Sequence, residues 1–357
     1  LKILALMGVP VRVWPRAPIK MSVEKITYSL IKKKEINSLI EAINKTKRVG
    51  KREFRRQITK IDWQWQYKKL PSSKSFCYLA KDKKKIIGYF HVPVFKFRFN
   101  KKNYLIGNAQ DVGILDNYRG KGIFKKLSSF VFKDLSKKID LTYTFPNKFS
   151  IKNFIIKNKF NYVSELPIYF KPTILFKFIN QKIKENEKII KIKDINYQVQ
   201  NLFDDFSSKH QLFLKRDKTF LNWRYNKSPK GKIKIVGLKR KNNLYSVIIY
   251  KKEVIFGINS IIILDFAYKD EVNNLSILLN NFSLDSTFKK KSNPQIIVIA
   301  GIFKDMNVFF RKNFFKLPSI FTPRKIVLLI KFFNKKIIKD FKKKSSWLIT
   351  LGDWDIF

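Results

Sequence analysis

A chain of 357 residues, 45% of them hydrophobic and spread along its length, is long enough for two domains that each bury a core. A single cysteine, Cys77, excludes an internal disulfide framework and fits a reducing cytoplasm; two distant histidines, His91 and His210, leave too few ligands for a zinc site, so no metal is expected. Against 26 Asp+Glu stand 76 Lys+Arg, a net charge of +50 that attracts nucleic acid or anionic surfaces, yet the lysines are scattered, as a coding bias toward Lys, Asn, Ile and Phe would leave them.

No run reaches the roughly 18 apolar residues that a membrane-spanning helix needs. Residues 1–20 hold three of the twelve prolines and no asparagine, and Met21 follows them; they are expected to lie outside the fold as an N-terminal extension. Apolar residues at helical spacing predict helices over Lys34–Thr46 and Arg52–Tyr67, the second carrying Trp63, Trp65 and Tyr67. A hairpin is expected from Ser75–Lys81 and Lys85–Val94, then a strand in which Phe95, Phe97 and Phe99 alternate with Lys96 and Arg98. Tyr104–Leu115 is the longest predicted strand of this half. A loop over Asp116–Gly122 leads into a helix with Ile123, Leu127, Phe130, Val131 and Leu135 on one side. The strand Leu141–Thr144, the segment Phe145-Pro146-Asn147, the helix Ser150–Asn158 and the strand Phe160–Leu166 complete the half.

Pro172–Asp194, rich in Lys and Ile and without a turn cluster, is expected to connect two domains, and the second half repeats the first. Trp65-Gln66-Tyr67 followed by Pro71 finds its echo in Trp223-Arg224-Tyr225 followed by Pro229. At nearly the same offset, Lys157-Asn158-Lys159-Phe160 is echoed by Arg311-Lys312-Asn313-Phe314, and two such pairs favour an internal duplication over chance.

The chemistry is concentrated in Asp111–Phe124. A strand runs through Gly113 and Ile114 into Asn117-Tyr118-Arg119-Gly120-Lys121-Gly122 and straight onto a helix at Ile123. Two glycines let backbone N–H groups converge and a ligand approach closely, and the positive end of the helix dipole favours an anion. Arg119 and Lys121 add charge at the rim, so the loop suits a pyrophosphate. An ordinary strand-to-helix turn is the competing interpretation.

Asn117-Tyr118-Arg119-Gly120-Lys121-Gly122 resembles the acetyl-CoA signature of the GNAT acetyltransferases, Q/R-x-x-G-x-G/A, with Asn117 where that family prefers Gln or Arg. The resemblance spans roughly residues 26–171 and implies an α/β (α+β) fold of two GNAT-like domains in tandem, each a mixed, mostly antiparallel sheet flanked by helices. The implied divisions are an extension at 1–20, an acyl-CoA-binding domain at 21–171, a connection at 172–194 and a degenerate second domain at 195–357. By the same resemblance, the loop amides of Gly120, Lys121, Gly122, Ile123 and Phe124, with Arg119 at the rim, would hold the pyrophosphate of acetyl-CoA. The backbone of Val112, Gly113 and Ile114 would pair with pantetheine, and Asn147 would contact it.

The family's helix tyrosine is missing, since Ile155 stands near its place and Lys159-Phe160 replaces Gly-Phe. Tyr143 and Tyr162 are the candidates for protonating the leaving thiolate, which can also take a proton from water. Asp111 is the candidate general base for an attacking amine; a buried structural carboxylate is an equal alternative. The tryptophans around Trp65 and Trp223 are expected as core more than as an acceptor pocket. In the second half Asp265 stands where Asp111 would, with no glycine pair after it, and the acidic Asp353 and Asp355 near the C-terminus are expected to face the acceptor amine. The two-domain pattern also resembles bacterial GNAT proteins of surface-polysaccharide synthesis, which implies a small amine acceptor such as an amino sugar. The alternatives are a Fem-type peptidyltransferase using aminoacyl-tRNA, or a non-catalytic nucleic-acid-binding protein on the same scaffold.

Overall fold

The computed structural model describes residues 26–48, 57–72, 74–147, 150–178, 183–229, 231, 233–282, 294–303, 307–318, 322, 325–334 and 341–354. The expected extension at 1–20, the start of the second helix at 52–56 and Asp355 lie outside these residues. In α1 (Ile36–Arg48), Ile36, Leu39, Ala42 and Ile43 recur at helical spacing and form the buried face. α2 (Lys60–Tyr67) begins at a capping box: the Thr59 hydroxyl accepts the Asp62 amide, and the Asp62 carboxylate accepts the Thr59 amide.

The first sheet is laid down by β1 (Thr27–Leu30), β2 (Ser75–Asp82), β3 (Lys85–Phe99), β4 (Lys102–Asn108) and β5 (Gln110–Ile114). Phe95, Phe97 and Phe99 prolong β3 rather than forming a strand of their own, because no turn residues separate them from Val94. The strand expected over Tyr104–Leu115 is instead broken at Ala109. There the register against β3 shifts between Tyr89 and His91, and Asp111 takes a left-handed φ of 43°. Aspartate is among the few non-glycine residues that tolerate this conformation.

α3 (Ile123–Leu135) packs Ile123, Leu127, Val131 and Leu135 against Phe90, Val92 and Val94 on one face of this sheet. α1 and α2 cover the other face, where Leu39, Ile43, Trp63 and Tyr67 meet Leu79 and Tyr89. β6 (Leu141–Thr144) follows, then a π-type turn at Asn153–Lys157 and the strands β7 (Asn161–Glu165) and β8 (Ile168–Pro172).

The second half runs β9 (Glu187–Lys191), α4 (Tyr197–Ser208), β10 (Leu212–Leu214), α5 (Lys218–Leu221, continuing as a π-type turn through Asn226), β11 (Ile233–Arg240), β12 (Asn243–Ile255), β13 (Ile258–Tyr268) and α6 (Asn273–Phe282). It ends with β14 (Ile296–Ala300), α7 (Asn307–Asn313), β15 (Phe315–Lys316), β16 (Val327–Phe332) and β17 (Trp347–Leu348).

The two sheets follow one path twice: β1-β2-β3-β4-β6-β16-β7 and β9-β11-β12-β13-β14-β8-β15. Each therefore takes its penultimate strand from the other half of the chain. β16 lies between β6 and β7, and β8 between β14 and β15. The sheets do not respect a cut between residues 171 and 195, because β8 belongs to the second sheet while β10 and β16 belong to the first. Where the halves meet, Trp65 and Trp223 stack with ring centroids 5.1 Å apart, and each indole N–H donates to the other residue's carbonyl at 2.9 Å. A buried indole needs a partner for its N–H, and here the duplication supplies both partners symmetrically.

Candidate active site

The site is built where the first sheet opens. β4 pairs in parallel with β6 from Ile106 to Asn108, and the Ala109 amide still reaches the Tyr143 carbonyl at 2.8 Å. Beyond Ala109, β5 pairs only with β3. The Leu115 amide donates to Ile87 on β3, so alternation turns the N–H and C=O groups of Val112 and Ile114 toward the open edge. A Cβ at Gly113 would run into the Tyr89 hydroxyl, which is why this strand needs glycine there.

The chain then turns through Asp116–Tyr118 onto α3. Gly120 and Gly122 have φ of 77° and 74°, and a Cβ at either would meet nothing within 4 Å. Their glycine identity therefore comes from the backbone conformation, and the space beside them is open. No side chain caps α3 at Gly122. The first-turn amides of a helix have no partner inside the helix, and together with the dipole they favour an anion by about 0.3–2 kcal/mol. Ile123 is buried and Phe124 packs on Phe154, so at these two positions only the backbone faces the loop. Arg119 braces the turn, with its guanidinium on Asp116 at 2.7 Å and its Nε donating to the Ile114 carbonyl at 3.2 Å. The Lys121 ammonium lies 5.4 Å from the centre of the Tyr118 ring, whose hydroxyl donates to Asp82.

Asp111 sits half-buried at the bulge, and its Oδ2 accepts the Tyr67 hydroxyl at 2.5 Å. The Tyr67 oxygen accepts in turn from the side-chain amides of Gln66 and Gln110, at 3.0 and 3.3 Å. Under it, the Trp63 indole donates to His91 Nε2 at 3.0 Å; a donor there leaves the proton of a neutral imidazole on Nδ1, which faces the Asp111 carbonyl at 3.1 Å. His91 is fully buried and stacks on Tyr67, so it supports the bulge from below.

The other expected residues are dispersed. Tyr143, on β6 at the border of the opening, is fully buried and donates to the Asp353 carbonyl at 3.3 Å. Tyr162 is exposed on β7, which β16 separates from β6. Asn147 follows β6, and its Oδ1 accepts the Ser150 amide, which starts the next helical turn. Asp353 does not present a charge to solvent: it is buried against Arg216 at 2.9 Å. Trp65 and Trp223 are core, as expected, although Trp223 also lines a narrow cleft between the halves with Gln66, Phe95, Asn108, Arg224 and Trp354. Nothing local in the sequence pairs Tyr67 with Asp111 or Arg216 with Asp265. The equal spacing of the Trp-x-Tyr motifs was the available signal for Tyr67.

The sheet thus opens beside an uncapped glycine turn. Residues 28–154 match the family model described as an acetyltransferase (GNAT) domain. The chain carries a GNAT acetyltransferase domain. No curated protein matches it significantly. Among solved structures, the fold is similar to that of a probable N-acyltransferase from Enterococcus faecalis, with 15% identity, a TM-score of 0.66, and coverage of 87% of this chain and 73% of that one. It is also similar to Saccharomyces cerevisiae N-myristoyltransferase with bound myristoyl-CoA, at 13% identity and a TM-score of 0.57 over 89% of this chain and 82% of that one. A tandem GNAT protein from the clavulanic acid biosynthesis pathway shares 8% identity, with a TM-score of 0.54 over 87% of this chain and 99% of that one. The GNAT domain and its tandem partner thus make up a mixed α/β molecule of two mostly antiparallel sheets. Among the described residues, no helix is long and apolar enough to cross a membrane.

Proposed function

We propose that the chain transfers an acetyl group from acetyl-CoA to a primary amine, an amino sugar by preference. The observation that carries this reading is the uncapped start of α3 behind Gly120 and Gly122, open to a diphosphate. The outward groups of Val112 and the N–H of Ile114, whose carbonyl already accepts Arg119, supply a strand edge for the amide units of pantetheine, which would bring the thioester beside Asp111. The amine nitrogen attacks the thioester carbon, its proton passes to Asp111, and the C–S bond breaks as the carbonyl re-forms. The Val112 N–H is the candidate donor to the oxyanion. Tyr143 borders the opening and is the better-placed tyrosine to protonate the thiolate; Tyr162 lies two strands farther out. The preference for an amino sugar follows from the resemblance of the two-domain pattern to bacterial GNAT proteins of surface-polysaccharide synthesis.

The test is acetyl-CoA consumption across amino sugars, amino acids and polyamines. Turnover with an amino sugar that falls at least about a hundredfold in Asp111→Asn supports the reading. Turnover that is unchanged in Asp111→Asn removes Asp111 from the mechanism, and no turnover with any amine rejects the proposed reaction.

A further inference from the structure

Four β-hairpins among the described residues turn on two residues each, and one of them departs from the other three. Lys83-Lys84 joins β2 to β3, Asn100-Lys101 joins β3 to β4, and Lys241-Asn242 joins β11 to β12, so these tips are polar. β12 and β13 meet instead at Phe256-Gly257, between the paired Ile255 and Ile258. Both turn residues have a left-handed φ, 50° for Phe256 and 78° for Gly257. Such a turn prefers Asn or Asp before its glycine, and a bulky aromatic residue is strained there. Phe256 is also 79% exposed, and Val254 on the same tip is 64% exposed. Backbone strain and apolar exposure thus fall on one residue, and at that exposure packing within the chain offsets neither.

Apolar exposure continues across this end of the second sheet. The Asn259 carbonyl accepts the Gln295 amide ahead of β14, and the Gln295 carbonyl accepts the Thr173 amide at the end of β8. Ile174, the next residue, is 61% exposed, and Ile258 is exposed as well. Among the described residues, β11 pairs with β12 no farther than Lys251 and β14 with β13 no farther than Ser260, so the hairpin projects beyond its neighbours. Its own two strands stay paired up to the turn, which satisfies their backbone groups facing each other.

Charge selects the occupant. At a net +50 a second copy of the chain is repelled and an anionic surface is attracted. Lys234 on β11 and Lys252 on β12 stand exposed behind the tip. A protruding apolar tip with paired backbone and lysines behind it matches the surface of an anionic bilayer. There the apolar side chains reach the acyl boundary while ammonium groups stay among the headgroups. We propose that the chain docks on anionic phospholipid bilayers through the β12–β13 hairpin, with Val254, Phe256 and Ile258 entering the headgroup region and Ile174 against the surface. Docking is independent of acyl transfer, and a chain without transferase activity would still bind.

The experiment is cosedimentation of the full chain at about 0.15 M salt with phosphatidylcholine vesicles and with vesicles in which about a third of the lipid is phosphatidylglycerol. Binding to the anionic vesicles at least about tenfold tighter than to the neutral ones is expected. Phe256→Asn, which gives the turn its preferred Asn-Gly, should weaken that binding at least about tenfold while Tm stays level or rises. Val254→Thr leaves the turn alone and should weaken binding in the same direction; it decides the matter if Phe256→Asn lowers Tm. No vesicle binding, or equal binding to both compositions, overturns the proposal. So does anionic binding indifferent to these substitutions, which would mean that charge alone holds the chain. A concentration-dependent dimer that Phe256→Asn dissolves overturns it in favour of a second copy.

Discussion

Arg216 compensates two buried carboxylates at once, and removing it isolates both. Arg216→Met is expected to cost about 3–5 kcal/mol in urea unfolding at neutral pH, and adding Asp265→Asn and Asp353→Asn should recover most of the loss. Burial pushes the Asp353 carboxyl above its ordinary value, and Arg216 opposes that rise. A raised folded pKa contributes stability that is present below the unfolded pKa and lost as pH rises. Without Arg216 the opposition is gone, so the variant should be least stable near neutrality and closer to wild type near pH 4, a dependence that unfolding midpoints at several pH values would reveal. Asp111 and the glycine turn were legible in the sequence because local chain geometry demands those residue types. The hydroxyl of Tyr67 on Asp111 and the guanidinium of Arg216 on Asp265 were not, since the partners stand 44 and 49 residues apart and only folding brings them together.

The last turn of α3 is anchored to the sheet, which fixes where its first turn points. Asp134 accepts the Tyr78 hydroxyl from β2 and the Lys138 ammonium, both at 2.6 Å. Burial pushes the Asp134 carboxyl up, but the bonds from Lys138 and Tyr78 outweigh it and hold it below its ordinary value. A depressed carboxyl contributes stability above its unfolded pKa that is lost as pH falls through the folded one. Asp134→Asn should therefore lower Tm at pH 7, by roughly 1 kcal/mol in stability, and the gap to wild type should close below about pH 4. The helix itself was readable from Ile123, Leu127, Val131 and Leu135, and β2 and β3 as two strand-like runs on either side of the turn at Asp82–Lys84. The break at Ala109 was not: both parts of the strand have apolar side chains and no glycine marks the bulge, because Asp111 itself takes the left-handed conformation.

The exchange of β8 and β16 ties the halves into one folding unit. Each, when absent, leaves a gap inside the last strand of the sheet it joins, with unpaired backbone groups on both sides of the gap. Residues 26–178 and 183–354 expressed apart should give no cooperative thermal transition by circular dichroism, and their co-expression should restore one; a cooperative melt of the first fragment alone would show that the exchange is dispensable. The repeat in the sequence announced two like halves but not which strand each lends, since nothing in the composition of Ile168–Pro172 or Val327–Phe332 says which sheet accepts it.

Calorimetric titration of the whole chain with acetyl-CoA at about 0.15 M salt addresses the glycine turn directly. One molecule should bind per chain, and Gly122→Val, which forces a branched residue into the left-handed region beside the helix amides, should weaken binding at least about tenfold while the fold persists. Absence of binding to the wild-type chain, or binding equally tight in the folded Gly122→Val variant, would mean that the turn does not hold the diphosphate.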